Sequence, residues 1–153
     1  MSIQQIKKFS VIGISVRTSN ENGQAVNDIT TLWNKFMSEG ILEKIPNKID
    51  NSIYCIYTEY EKDHTKPYTV ILGCKVINPD NIPAGMVGKS IDGGNYEKYV
   101  AKGNILQGIV FDAWKKIWSS AIPRTYIADF EVYSETIHNL EDAEVDIFIG
   151  IKY

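Results

Sequence analysis

The chain has only two cysteines and two histidines among its 153 residues. Cys55 and Cys74 are too few and too far apart for the paired spacing of a zinc site, and His64 and His138 bring no neighbouring second ligand. The thiols therefore read as small buried hydrophobes. There is no basic excess either: 16 Lys and Arg stand against 19 Asp and Glu, a net charge of −3, which argues against a face built to grip phosphate backbones. No run approaches the roughly 20 apolar residues of a membrane span. The opening Met1-Ser2-Ile3-Gln4-Gln5 lacks the apolar run of a signal peptide, so the expectation is a cytoplasmic protein with no membrane segment.

Signatures of catalysis are equally scarce. Asp92-Gly93-Gly94-Asn95 has neither the following Lys-Ser/Thr of a phosphate loop nor dinucleotide-binding glycine spacing, and reads as a turn. Ser119-Ser120 and His138 form no nucleophile elbow. Glu59, Glu61 and Asp63 alternate without the glycine-bearing frame of a calcium loop and read as a solvated edge and turn. No metal, no cofactor and no classical nucleophilic hydrolysis are expected.

What the chain does have is rings: nine Tyr, five Phe and three Trp within a composition that is 44% hydrophobic. Its length suits one compact domain burying roughly 70% of its unfolded surface. A ring surplus with mild acidity points to a place for an apolar, neutral or cationic small molecule.

Periodicity supplies the order of elements. Lys8 to Arg17 reads as a strand, and Ile29, Leu32, Trp33, Phe36 and Met37 recur at helical spacing between a candidate N-cap, Asn27, and a candidate left-handed C-cap, Gly40. Ile53 to Tyr60 and Tyr68 to Val76 are strand-like. The second half repeats that order. Met86 to Ile91, bending on through Tyr96 to Ala101, is followed by a helical stripe from Leu106 to Trp118 after Asn104, then by strands at Tyr126 to Tyr133 and Glu144 to Lys152. Gly73 and Lys75 recur as Gly150 and Lys152 at one offset, and Trp33 and Met37 as Trp114 and Trp118 at a similar one. These echoes predict an α+β fold of duplicated βαββ units, repeat one about 8–77 and repeat two about 84–153. Pseudo-twofold packing would then give an antiparallel sheet, two main helices and a central ligand groove at the seam.

The strand Arg124 to Tyr133 is the most informative. Alternation puts Asp129, Glu131 and Tyr133 on one face and Ala128, Phe130 and Val132 on the other. A Glu131 facing a ring-lined groove would be a desolvated carboxylate that a cation relieves, whereas a wet strand face would leave it solvated; the pattern admits both. Tyr54 and Tyr57 on the equivalent first-half strand, Tyr96 after the glycine turn, Tyr133, and Trp118 at a helix end are the candidate ring wall. Cation–π contacts with such rings are worth roughly 0.5–2 kcal/mol each when desolvated. Trp33 and Trp114 fall on the apolar helical stripes and are expected in the core.

Gly13-Ile14-Ser15-Val16-Arg17-Thr18-Ser19-Asn20, Leu32-Trp33, Ile45-Pro46-Asn47-Lys48-Ile49, Ile71-Leu72-Gly73-Cys74, Pro83-Ala84-Gly85-Met86 and Asp129-Phe130-Glu131-Val132-Tyr133 together resemble the stand-alone integron-associated effector-binding proteins. That family lies in the GyrI-like superfamily, related to AraC-type effector-binding domains. The resemblance covers nearly the whole chain. It implies a non-enzymatic binding protein whose groove holds amphipathic, often cationic compounds, with Glu131 as countercharge and Tyr133, Tyr57 and Trp118 as wall. It also implies a link to transcription regulation or drug sequestration, exerted alone, as a homodimer or through a regulatory partner. With repeat one starting near Lys8, no appended helix-turn-helix domain and no direct nucleic-acid contact are expected. The alternative implied by the superfamily is a hydrolase of cyclopropane-containing electrophiles, in which Glu131 would activate a water.

Overall fold

The computed structural model describes residues 2–137 and 139–152, so the readings of His138 and of the repeat end at Tyr153 lie outside the described residues. The elements run in chain order: β1 (Ser2–Ile6), β2 (Phe9–Thr18), α1 (Gln24–Ser38), α2 (Ile41–Lys44), β3 (Ile53–Thr58), β4 (Tyr68–Val76), β5 (Val87–Ile91), β6 (Gly94–Gly103), α3 (Ile109–Trp118), β7 (Arg124–Tyr133) and β8 (Ala143–Ile151). All eight strands form one antiparallel sheet in the order β1-β6-β8-β7-β3-β4-β2-β5. Two sets, β2-α1-β3-β4 and β6-α3-β7-β8, therefore lie side by side and meet at the β3–β7 ladder. In that ladder Cys55 stands opposite Glu131, and Tyr57 opposite Asp129.

The fold is the expected α+β architecture, with adjustments. The exposed strand β1 precedes the expected start of repeat one at residue 8; it pairs with β6, the first sheet strand of the other set. In the same way β5 leads into β6 along the chain yet pairs with β2. Helix α1 starts earlier than the Asn27 cap predicts. A 3-10 turn at Glu21–Gly23 runs into it through Gly23 at φ 69°, which leaves Asn27 inside the first turn. Gly40, at φ 61°, ends α1 in the left-handed conformation expected of it. The Asn104 side chain accepts from the Leu106 amide at 2.9 Å and so caps a separate 3-10 turn, Ile105–Gln107. Leu106 thereby falls off the α3 stripe and is exposed.

Parity on the strands divides the core. The helical face of the sheet packs Ile12, Ile14, Cys55, Val70, Leu72 and Cys74 under Leu32 and Phe36 of α1, and Val145, Ile147 and Ile149 under Trp114 and Ile117 of α3. The opposite face buries a separate cluster with no helical member: Phe9, Val11, Ile56, Ile71, Ile91, Tyr96, Phe130 and Phe148. Close backbone approach accompanies this. Gly13 and Gly73 are paired across β2 and β4, and a Cβ on Gly73 would stand 2.1 Å from the Ile12 carbonyl oxygen. Cys55 and Cys74 are free and buried, as their scarcity suggests.

Candidate functional site

Strand parity aims Glu131 at the helical side, in mid-sheet, between Cys55 of β3 and Ile147 of β8. The carboxylate is 2% exposed, yet both of its oxygens are engaged. Tyr57 Oη and Trp114 Nε1 each donate to Oε2 at 2.6 Å, and Tyr133 Oη donates to Oε1 at 2.6 Å. Burial pushes the Glu131 carboxyl above its ordinary value, while these three hydrogen bonds pull the other way. The same burial, with the neighbouring carboxylate, drives the Tyr57 and Tyr133 hydroxyls well up, so they remain neutral donors.

Above this carboxylate lies a cavity of about 390 Å³ between α1 and α3. Its walls are Trp33, Ile29 and Ala25 from α1, Trp114, Trp118, Val110 and Phe111 from α3, and Tyr57, Tyr68 and Tyr133 from the sheet, with His64 and Asn20 from the connecting loops. The rings brace one another edge to face: Trp33 against Tyr133 at 4.9 Å and Tyr57 against Trp114 at 5.1 Å between centroids. A volume of this size suits a small molecule.

A second polar cluster sits behind that wall. Arg124 Nη2 donates to Asp129 Oδ2 at 2.7 Å, and Asp129 also accepts from Tyr60 Oη at 2.6 Å and from the Gly150 amide at 2.9 Å. The pairing of β7 with β8 shifts register between Arg124 and Asp129, and Tyr126 within that bulge adopts φ 56°, a conformation an aromatic residue seldom takes. The guanidinium centre lies 4.3 Å from the Tyr126 ring centroid; Nε and Nη1 are buried without hydrogen-bond partners. Arg124 and Asp129 thus form a buried ion pair, its guanidinium centre 5.8 Å from the Trp114 ring centroid.

Of the sequence-predicted residues, Glu131, Tyr133, Tyr57 and Trp118 line this one cavity. Tyr54 and Tyr96 do not. Residue 54 has the parity of Ile56, not of Tyr57, and packs against Phe9 and Phe130 on the opposite face, where Tyr96 joins it with its hydroxyl on the Asp92 carbonyl. Trp114 is buried as expected of a core ring, but its indole N–H is spent on Glu131, and Trp33 also reaches the cavity. The signal for Trp114 was present in the spacing: Trp114 and Trp118 are four apart and share a helix face. Tyr68 and His64 carried no comparable signal. Among the described residues no cluster of His, Cys, Asp and Glu could hold a metal ion, and no helix is long and apolar enough to cross a membrane.

Comparison with known proteins places this geometry in context. The model of a family described as integron-associated effector binding proteins matches residues 2–151. An integron cassette protein from the mobile metagenome of Vibrio cholerae is 31% identical, with a TM-score of 0.74 over 99% of this chain and 95% of that one. SAV2435, solved bound to tetraphenylphosphonium, superposes with a TM-score of 0.80 at 18% identity, over 99% of this chain and 93% of that one. YobU of Bacillus subtilis (strain 168), named as a transcriptional regulator, is 26% identical over 151 residues, 96% of this chain and 93% of its own length.

Proposed function

Because the chain belongs to the family of integron-associated effector-binding proteins, we propose that it binds lipophilic small cations in the cavity between α1 and α3, with Glu131 as the countercharge. The observation that carries the reading is a 2% exposed carboxylate beneath a cavity of about 390 Å³ walled largely by rings. Tyr57, Tyr133 and Trp114 keep that carboxylate ionisable without neutralising it, because all three are uncharged donors. A delocalised cation needs no hydrogen bond of its own here: ring faces and an anion within a low-dielectric enclosure suffice. The tetraphenylphosphonium held by SAV2435, a protein of the same fold, is a molecule of that kind.

Glu131 fits binding better than water activation. Its two oxygens already accept three short hydrogen bonds, which lowers their basicity and leaves few acceptor positions for a nucleophilic water. The occupied protein would act by withholding the compound or through a regulatory partner, the latter suggested by the name of YobU. Calorimetric titration with tetraphenylphosphonium and with neutral triphenylphosphine oxide tests the reading. Opposite charges about 5 Å apart at an effective dielectric constant of about 20 interact by roughly 3 kcal/mol, so Glu131→Gln should weaken the phosphonium by about a hundredfold. The oxide should change little. Equal losses for both compounds would remove the countercharge role.

A further inference from the structure

Besides Glu131 and its tyrosines, the cavity has a further ionisable wall residue, which belongs to neither the ring cage around Glu131 nor the Arg124 ion pair. His64 comes from the turn between β3 and β4. Its ring stacks on Trp118, 12° between planes and 5.9 Å between centroids, and on Tyr126 at 6.3 Å. Its backbone carbonyl is tied down by Asn20 Nδ2 at 2.8 Å, and Asn20 in turn accepts from the Tyr68 hydroxyl at 2.6 Å. The imidazole Nδ1 is buried without a hydrogen-bond partner. Trp118 lies one turn, about 6 Å of helix, beyond the Trp114 that holds Glu131. His64 therefore borders the same cavity as the carboxylate.

We propose that His64 is a proton-operated specificity residue of the cavity: neutral, it admits a cation beside Glu131, and protonated, it rejects one. The inference rests on the cation-binding reading above and adds the regulation of that site. The charges around the imidazole are unequal. Asp63 adjoins it on its own turn, Arg124 faces it from β7 with its charge paired to Asp129, the phenol ring of Tyr126 stacks on it from the same strand, α3 offers the uncharged Trp118, and the Asn20 side chain offers an amide. Burial and Arg124 together hold His64 below the usual imidazole value, against the weaker pull of Asp63. At neutral pH the wall is thus uncharged and Glu131 dominates. Below that range an imidazolium shares the cavity with any bound cation. Since the ligand prefers the deprotonated form, linkage requires that it lower the His64 pKa further, and that its own affinity fall as pH drops through the His64 titration.

The test uses the full-length protein with histidine ring carbons labelled, His64 and His138 being told apart by His64→Gln. Saturating tetraphenylphosphonium should move the His64 titration down by about one pH unit, equivalent to about a tenfold affinity change. Triphenylphosphine oxide should not move it. In calorimetry between about pH 5 and 8, affinity of the unmodified protein for the phosphonium should fall about tenfold more than that of His64→Gln. An unmoved His64 titration, or parallel affinity profiles for the two proteins, overturns the proposal. If Glu131→Gln still costs affinity at about pH 8, the countercharge reading survives that failure. Absence of phosphonium binding at about pH 8 defeats both.

Discussion

At the scale of the residue, Glu131 is a carboxylate that the fold buries at a cost and then partly compensates. Its folded pKa is raised, so the folded chain holds a proton there more tightly than the unfolded chain does. Stability contributed by the protonated form is present at and below the ordinary carboxylate value and is lost as pH rises toward the folded pKa. The melting temperature of the ligand-free protein relative to Glu131→Gln should therefore decline as pH rises from about 4.5. A relative melting temperature that stays flat over that range would show that the three hydrogen bonds cancel the burial cost. Alternation along one strand put Glu131 and Tyr133 on a shared face but left open whether that face was wet, and it was the family resemblance that implied Glu131 as countercharge with Tyr133 and Tyr57 as wall. Tyr54 was misplaced because two rings three apart on a strand point opposite ways. His64 and Tyr68 were not legible at all, since they reach the cavity through a turn and a distant ladder that no local period encodes.

At the scale of the element, the strands were read closely and their ends less so. The run Tyr68 to Val76 coincides with β4, whose pattern is almost continuously buried. The helix starts were displaced because Gly23 and Gly108, both left-handed, join short 3-10 turns to α1 and α3. β1 escaped notice because its residues are mostly exposed and so lack an apolar pattern. The Gly13–Gly73 pairing is where an element is most exposed to change. A methyl on Gly73 would meet the Ile12 carbonyl oxygen and the Gly13 Cα at 2.7 Å, backbone atoms with no rotamer to yield. Gly73→Ala should cost about 1–3 kcal/mol or more in chemical denaturation, whereas Gly85→Ala, in a turn with open space, should cost only its φ strain. A Gly73→Ala cost below about 1 kcal/mol would mean that β2 and β4 separate freely.

At the scale of the whole molecule, the two βαββ sets are tied together by more than the β3–β7 ladder. β1 completes the outer edge of the second set and β5 that of the first, while Ile6, at the end of β1, packs onto the ring cluster of the far face. Removal of residues 1–6 should uncover the backbone edge of β6 and cost about 1 kcal/mol for the lost contact of the half-buried Ile6, seen as an earlier thermal transition. The freed edge should also raise self-association, measurable by size-exclusion chromatography. A truncated chain with unchanged melting and elution would assign β1 no part in closing the sheet.

The exchange of outer strands also sets an order of events during synthesis. β1 leaves the ribosome first, yet its partner β6 belongs to the second half of the chain, and β2 likewise waits for β5. The nascent first half is thus left with an unpaired β1 and open edges on β2 and β3, and its far-face rings lack Tyr96, Phe130 and Phe148 until the second half is made. Folding of this chain is consequently a late and collective event, and the interval before it is when a chaperone, or another copy of the same unfinished chain, would find an edge to hold.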